Sequence, residues 1–177
     1  MGQFAPAFDY LMGNEDPERA CAVVADSCPE GCTGPCFAIS GINSGAWPEW
    51  YGRLVLLAPG QRLPVVSAFY EQEYWAKIGA GGLVSQDVAD RVLDCDVNEG
   101  ERGGGVVLQE AINLLHAGTV AVDGAIGPET LEAANGCEPD ALVAAIRTVR
   151  SEDVRRIAAE KGWSAGETAA LLARAGK

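Results

Sequence analysis

The chain has 177 residues, with 13 Lys and Arg against 25 Asp and Glu, a formal net charge of -12. So acidic a surface argues against a nucleic-acid partner, because phosphate contacts need Lys and Arg to release counterions, and against adhesion to an anionic membrane surface. Hydrophobic residues at 48% and charged residues at 21% are those of a folded chain rather than a disordered one, sized for one compact domain or a domain with a small appendage.

The opening, MGQFAPAFDYLMGNEDPE, has neither a basic n-region nor a long apolar h-region. No apolar run approaches the ~20 residues of a membrane-spanning helix. The expectation is synthesis in the cytoplasm without a signal peptide. Phe4, Phe8 and Leu11 recur at i, i+4 and i+7. That spacing predicts an amphipathic helix over residues 3–14, ended by Gly13 and Asn14. Glu15 falls at the end of this helix or just past it.

Residues 16–36 are rich in Pro, Gly, Cys and acids and read as loop, with a short helical turn at 20–25. Residues 37–47 read as loop and irregular structure. A helix over 48–57 starts at a proline. The stripe Val65, Phe69, Tyr70, Tyr74, Trp75 and Ile78 predicts a helix over 64–78. Ser85 is placed to cap a helix through residue 98, and residues 100–105 read as a flexible connection. Helices follow over 106–116 and, started by Pro128, over 129–134. One or two more cover 139–161. Ser164 with Glu167 three residues later forms a capping box for the last helix. Strong strand patterns are absent.

Cys21, Cys28, Cys32 and Cys36 crowd together with spacing C-x6-C-x3-C-x3-C, while Cys95 and Cys137 stand apart. Disulfides, free thiols and a metal site all remain open. Six cysteines allow fifteen pairings, and the spacing lacks the C-x2-C pairs of zinc ribbons.

A carboxyl group at a helix C-terminus meets the partial negative end of the helix dipole, which favours the protonated form that a glycosidic general acid requires. Glu15 is so placed. Aromatic residues interleaved with polar ones at Trp47, Trp50, Tyr51, Tyr70, Tyr74 and Trp75 offer stacking faces for sugars, although the helical spacing assigns Trp75 to the core. The lone His116 has no motif around it and reads as a cap or surface residue.

Five segments in order resemble the glycoside hydrolase 108 muramidases, a family of phage-type endolysins and secretion-activator proteins. They are Gly13-Asn14-Glu15; Pro29-Glu30-Gly31-Cys32-Thr33 running to Phe37-Ala38-Ile39-Ser40; Tyr70-Glu71-Gln72-Glu73-Tyr74-Trp75; Val97-Asn98-Glu99-Gly100; and Asp123-Gly124-Ala125-Ile126-Gly127-Pro128-Glu129-Thr130-Leu131. The resemblance spans residues 4 to about 150. It implies a mainly α, lysozyme-like fold, with a catalytic region over 1–105 packed as one unit with a peptidoglycan-binding-type helical region over 106–177. The implied reaction is hydrolysis of the β-1,4 bond between N-acetylmuramic acid and N-acetylglucosamine, with no metal and no cofactor.

By the same resemblance Glu15 is the general acid, and Thr33 with Asp26 or Cys28 handles the attacking water. Asn98, Tyr74, Phe37 and Ser40 are the implied substrate contacts. The implied partner is the peptidoglycan glycan strand, met by a monomer in the periplasm or wall after release by a holin or an export system. The chain departs from the family pattern where E-G-G-Y becomes Glu15-Asp16-Pro17-Glu18, and where the longer loop to Thr33 carries four cysteines. Altered substrate preference, redox control through Cys28, or a binding or secretion-assisting role without catalysis are the corresponding alternatives.

Overall fold

The computed structural model describes residues 1–177. Helix α1 (Phe4–Glu15) buries Phe8 and Leu11 of the predicted stripe together with Ala7 and Met12, while Phe4 is half-buried. Its start is tied to a distant helix by a reciprocal amide pair. The Gln3 N–H donates to Gln86 Oε1 at 2.7 Å, and Gln86 Nε2 donates to the Gln3 carbonyl at 2.9 Å.

The next segment corrects the sequence reading. Strand β1 (Val23–Asp26) pairs antiparallel with β2 (Cys36–Ile39), which pairs in turn with β3 (Ile42–Asn43). No helical turn occupies residues 20–25. The strands are too short to show alternation, and β1 is exposed throughout, so only pairing with a partner distant in sequence reveals them. Ile39 pairs with Ile42 around a two-residue turn, and Ser40 and Gly41 there both have positive φ, 47° and 81°. Two such residues in succession make the hairpin turn whose twist matches its strands.

Helix α2 (Pro48–Val55) begins with the expected proline. Buried Arg62 then fastens two loops together. Its Nε donates to the Leu54 and Leu57 carbonyls, and one terminal nitrogen donates to the Cys21 carbonyl at 2.6 Å. Helix α3 (Leu63–Tyr70) runs on through a π-helical turn, Glu71–Trp75, into α4 (Ala76–Ile78). The wider turn changes which face each later side chain presents.

Helix α5 (Gln86–Glu99), capped by Ser85, is the central rod and contacts α1 and the two long helices α6 (Gly103–Leu115) and α8 (Pro139–Lys161). Of the run 100–105 read as a flexible connection, residues 103–105 form the first turn of α6 and residues 100–102 stay outside it. A Cβ on Gly104 would lie 2.3 Å from the Val92 carbonyl oxygen, and one on Gly105 would lie 2.1 Å from the Gly124 carbonyl oxygen. Those glycines are there so that backbones can touch. Helix α7 (Pro128–Gly136) starts at its proline, and α8 is one continuous helix of 23 residues. The last helix, α9 (Ala165–Ala175), has the predicted capping box.

Two apolar clusters fill this frame. One, under α1, the sheet and α3, holds Phe8, Leu11, Met12, Ile39, Ile42, Phe69 and Tyr70. The other, between α5, α6 and α8, holds Val88, Val92, Leu108, Ile112, Leu142 and Ile146. The result is the mainly α, lysozyme-like helical architecture, with a three-stranded sheet set against its N-terminal half. No helix is long and apolar enough to cross a membrane.

Candidate active site

Helix α1, the sheet, α3 and the end of α5 enclose a cleft of about 630 Å³ that brings together Glu15, Asp26, Cys28, Tyr74 and Asn98. Glu15 is the last residue of α1. Its Oε2 lies 2.6 Å from where a Cβ on Gly41 would stand, and the Tyr70 hydroxyl lies 2.5 Å from the same point. Any side chain at position 41 would displace both groups, so Gly41 lets the hairpin reach the carboxylate. Tyr70 is buried, and its hydroxyl donates to the Ser40 carbonyl at 2.8 Å, fixing the hairpin from below. Burial pushes the Tyr70 phenol well above its ordinary range, and the nearby Glu15 adds to the effect.

Asp26 ends β1 and is held from two sides. Its Oδ1 accepts from the Ser27 N–H at 2.8 Å, and its Oδ2 accepts from Asn43 Nδ2 at 2.7 Å. The same Asn43 amide accepts from Gly45 N–H at 2.8 Å. A carboxylate fixed in this way keeps a stable aim into the cleft.

Cys28 is bonded to Cys36, while Cys21, Cys32, Cys95 and Cys137 are free. A disulfide sulfur has neither a thiol proton nor a thiolate charge, which leaves Asp26 as the second acidic group of this cleft. Closing so short a loop is worth roughly 2–3 kcal/mol through the unfolded chain.

Asn98 is exposed at the end of α5 and lines the cleft, and its side chain forms no hydrogen bond within the protein. Tyr74 is half-buried, with ring centroids 5.7–6.1 Å from Phe69, Tyr70 and Trp47. Three of the expected residues lie elsewhere. Thr33 is exposed on the loop between the bonded cysteines and does not line the cleft. Phe37 is 39% exposed on β2, outside the lining. Ser40 is buried and acts on Asp16 instead, its hydroxyl donating to Asp16 Oδ2 at 2.7 Å. Burial pushes the Asp16 carboxyl up, but the bonds from Ser40 and from the Cys21 and Ala20 N–H groups outweigh it and hold it below its ordinary value. Asp16 is therefore an acidic staple that fixes the loop after α1 to the hairpin turn.

The residue that sequence reading missed is Arg174 of α9. One of its terminal nitrogens donates to Glu15 Oε1 at 2.7 Å and to Asp94 Oδ1 at 2.8 Å. Fully buried Asp94 also accepts from Arg150 at 3.0 Å and from Asn14 at 2.9 Å. Burial disfavours the charge on Arg174, yet Asp94 and Glu15 more than compensate and hold its guanidinium protonated. A signal for half of this network did exist. Asp94 and Arg150 interrupt buried stripes of α5 and α8 with opposite charges, and such residues are buried only when paired. Nothing local marks Arg174.

A second cleft, of about 490 Å³, adjoins the first. Its walls include Trp47, Glu73, Tyr74, Lys77, Asp96, Arg102 and residues 124–127. Tyr74 borders both clefts.

Residues 104–168 match the family model described as a predicted peptidoglycan domain. The match covers α6, α7, α8 and the first turn of α9 and supports an association of the chain with peptidoglycan. No curated protein matches the chain. A solved structure of SagA from Brucella abortus superposes with a TM-score of 0.63 at 20% identity, over 97% of this chain and 92% of that one. A likeness at that identity is one of fold.

Proposed function

We propose that the chain is an N-acetylmuramidase that hydrolyses the β-1,4 bond between N-acetylmuramic acid and N-acetylglucosamine in peptidoglycan strands, as the resemblance to glycoside hydrolase 108 implies. The observation that carries the reading is the pairing of Glu15 and Asp26 on different walls of one open cleft beside an aromatic ring. Glycoside hydrolysis needs an acid on the leaving oxygen and a carboxylate on the other face of the sugar.

In this reading Glu15 protonates the glycosidic oxygen. Asp26, oriented by Asn43, draws a proton from the attacking water, and Asn98 hydrogen-bonds an N-acetyl or hydroxyl group. Arg174 holds Glu15 through Oε1 and leaves Oε2 directed at the hairpin side of the cleft. A general acid contributes about 10²–10⁴-fold. The substrate lies in the wall, so the chain reaches it by release or export.

A second reading, a peptidoglycan-binding or secretion-assisting protein without catalysis, is favoured by one observation: the Glu15 carboxylate is already engaged by the Arg174 guanidinium. Reducing-end release from purified sacculi separates the two. Hydrolysis by the native chain that is lost in both Glu15→Gln and Asp26→Asn supports the muramidase. Sacculi left intact by the native chain, oxidised or reduced, but still bound by it, support the second reading.

A further inference from the structure

We infer that the second cleft binds the peptide stem of peptidoglycan, a short peptide carrying carboxylates and a free amine. The inference rests on the peptidoglycan reading above but not on catalysis.

Position is the first argument. Asp96 of α5 lines the second cleft, and Val97 and Asn98 line the first. Tyr74 forms a wall of both. A muramic acid residue carries its peptide on the lactyl group, so a strand seated in the first cleft directs that peptide sideways. The adjoining cavity of about 490 Å³ is of a size that encloses a ligand of several residues.

The charges are the second argument. Arg102 and Lys77 face Glu73, Asp96 and Glu101 around the same space. Lys77 is paired with Glu73 at 2.6 Å. Arg102 forms no ion pair, and its guanidinium makes one long hydrogen bond, 3.4 Å to the Asp123 carbonyl. Most of its five donors are therefore available, in the planar fork that suits a carboxylate. Asp96 is 3% exposed, and one of its oxygens accepts from the Gly104 N–H at 3.2 Å. A buried carboxylate on the cavity wall is a site for an amine. A neutral glycan needs neither charge, whereas a peptide with both uses both.

The backbone is the third argument. Arg102 has φ +70°, a left-handed conformation that favours Gly or Asn. A long cation at such a position costs folding free energy, which is a mark of functional rather than structural placement. Ile126 lines the same cavity, and its N–H donates to no group of the protein.

The test uses full-length Glu15→Gln protein and two probes: the GlcNAc–MurNAc disaccharide, and the same disaccharide carrying its stem peptide with a diamino acid. By calorimetry the peptide-bearing probe is expected to bind about tenfold more tightly, the equivalent of one well-made contact set. Adding Arg102→Gly, which relieves the backbone and so keeps the fold, is expected to remove that advantage and leave disaccharide binding unchanged. Equal affinity for the two probes overturns the inference, as does an Arg102→Gly effect that weakens both alike. The muramidase reading fails separately, if the native chain releases no reducing ends from amidase-treated, peptide-free strands. The probe affinities decide the peptide site in either case.

Discussion

The half of the molecule built on α1 and the sheet is held by rings, and the half built on α6 and α8 by aliphatic side chains. In the first, Phe8, Phe69, Tyr70, Tyr74 and Trp47 meet edge to face or tilted, with centroids 4.9–6.2 Å apart. In the second, Val92, Leu108, Ile112 and Ile146 close over backbones that touch through glycines. Rings carry polar handles and leave irregular surfaces between them, and both clefts open on the aromatic half or on the seam. The aliphatic half serves as the frame. It also contains the segment that matches the peptidoglycan domain family. Helix α9 reaches the cleft from the frame with a charge rather than an apolar face.

If that division is right, the largest effect on activity comes from a substitution that barely touches stability. Glu15→Gln is expected to lower reducing-end release by about 10²–10⁴-fold, with a melting temperature close to that of the native chain. A variant that unfolds instead would make Glu15 a structural partner of Arg174 first.

The seam is expected to show the opposite pattern. Asp94→Ala removes the buried carboxylate that Arg150 and Arg174 share and leaves them only Glu99 and Glu15 as partners, at a cost of about 3–5 kcal/mol. Denaturant unfolding measures this directly. A loss under 1 kcal/mol would mean that water takes the place of the carboxylate and that α9 is loosely held.

Acid sharpens the comparison at Asp96, which belongs to the seam. Burial pushes its carboxyl up from 3.8 to about 6. The folded state therefore binds a proton more readily than the unfolded state between those values. The stabilisation is complete below about pH 4 and is lost as pH rises through 6, amounting to roughly 2–3 kcal/mol. Asp96→Asn is expected to flatten the stability profile between pH 4 and 7. An unchanged profile would assign the slope to the general repulsion of an acidic chain.

Within the frame, Gly104→Ala gains helix propensity but forces a Cβ against the Val92 carbonyl at 2.3 Å. Both atoms that meet belong to rigid helices, so a net loss of about 1–3 kcal/mol is expected by thermal melting, with activity retained. A gain in stability would show that α5 and α6 can separate cheaply.

The helices were legible because their information is local. The 3.6-residue stripes of α1 and α5, the prolines opening α2 and α7 and the Ser164–Glu167 box each act within a few residues. Glu15 was legible for the same reason, as a carboxyl at the end of a readable helix. The sheet was not, because β1 and β2 are four residues each and have meaning only when paired. The glycine run before Val106 read as slack, although Gly104 and Gly105 leave no room for a side chain against Val92 and Gly124, since a missing side chain looks alike in both cases.

What the sequence determined by itself is the set of helices, the acidic surface and the residue at the end of α1. Tertiary structure alone decided that Cys28 is bonded to Cys36, that Thr33 stands away from the cleft while Asp26 stands in it, and that Arg174 reaches Glu15. Periodicity records which face of a helix avoids water. It carries no record of which distant charge that face will meet, because a pairing between residues 159 positions apart is fixed by the packing of every element between them.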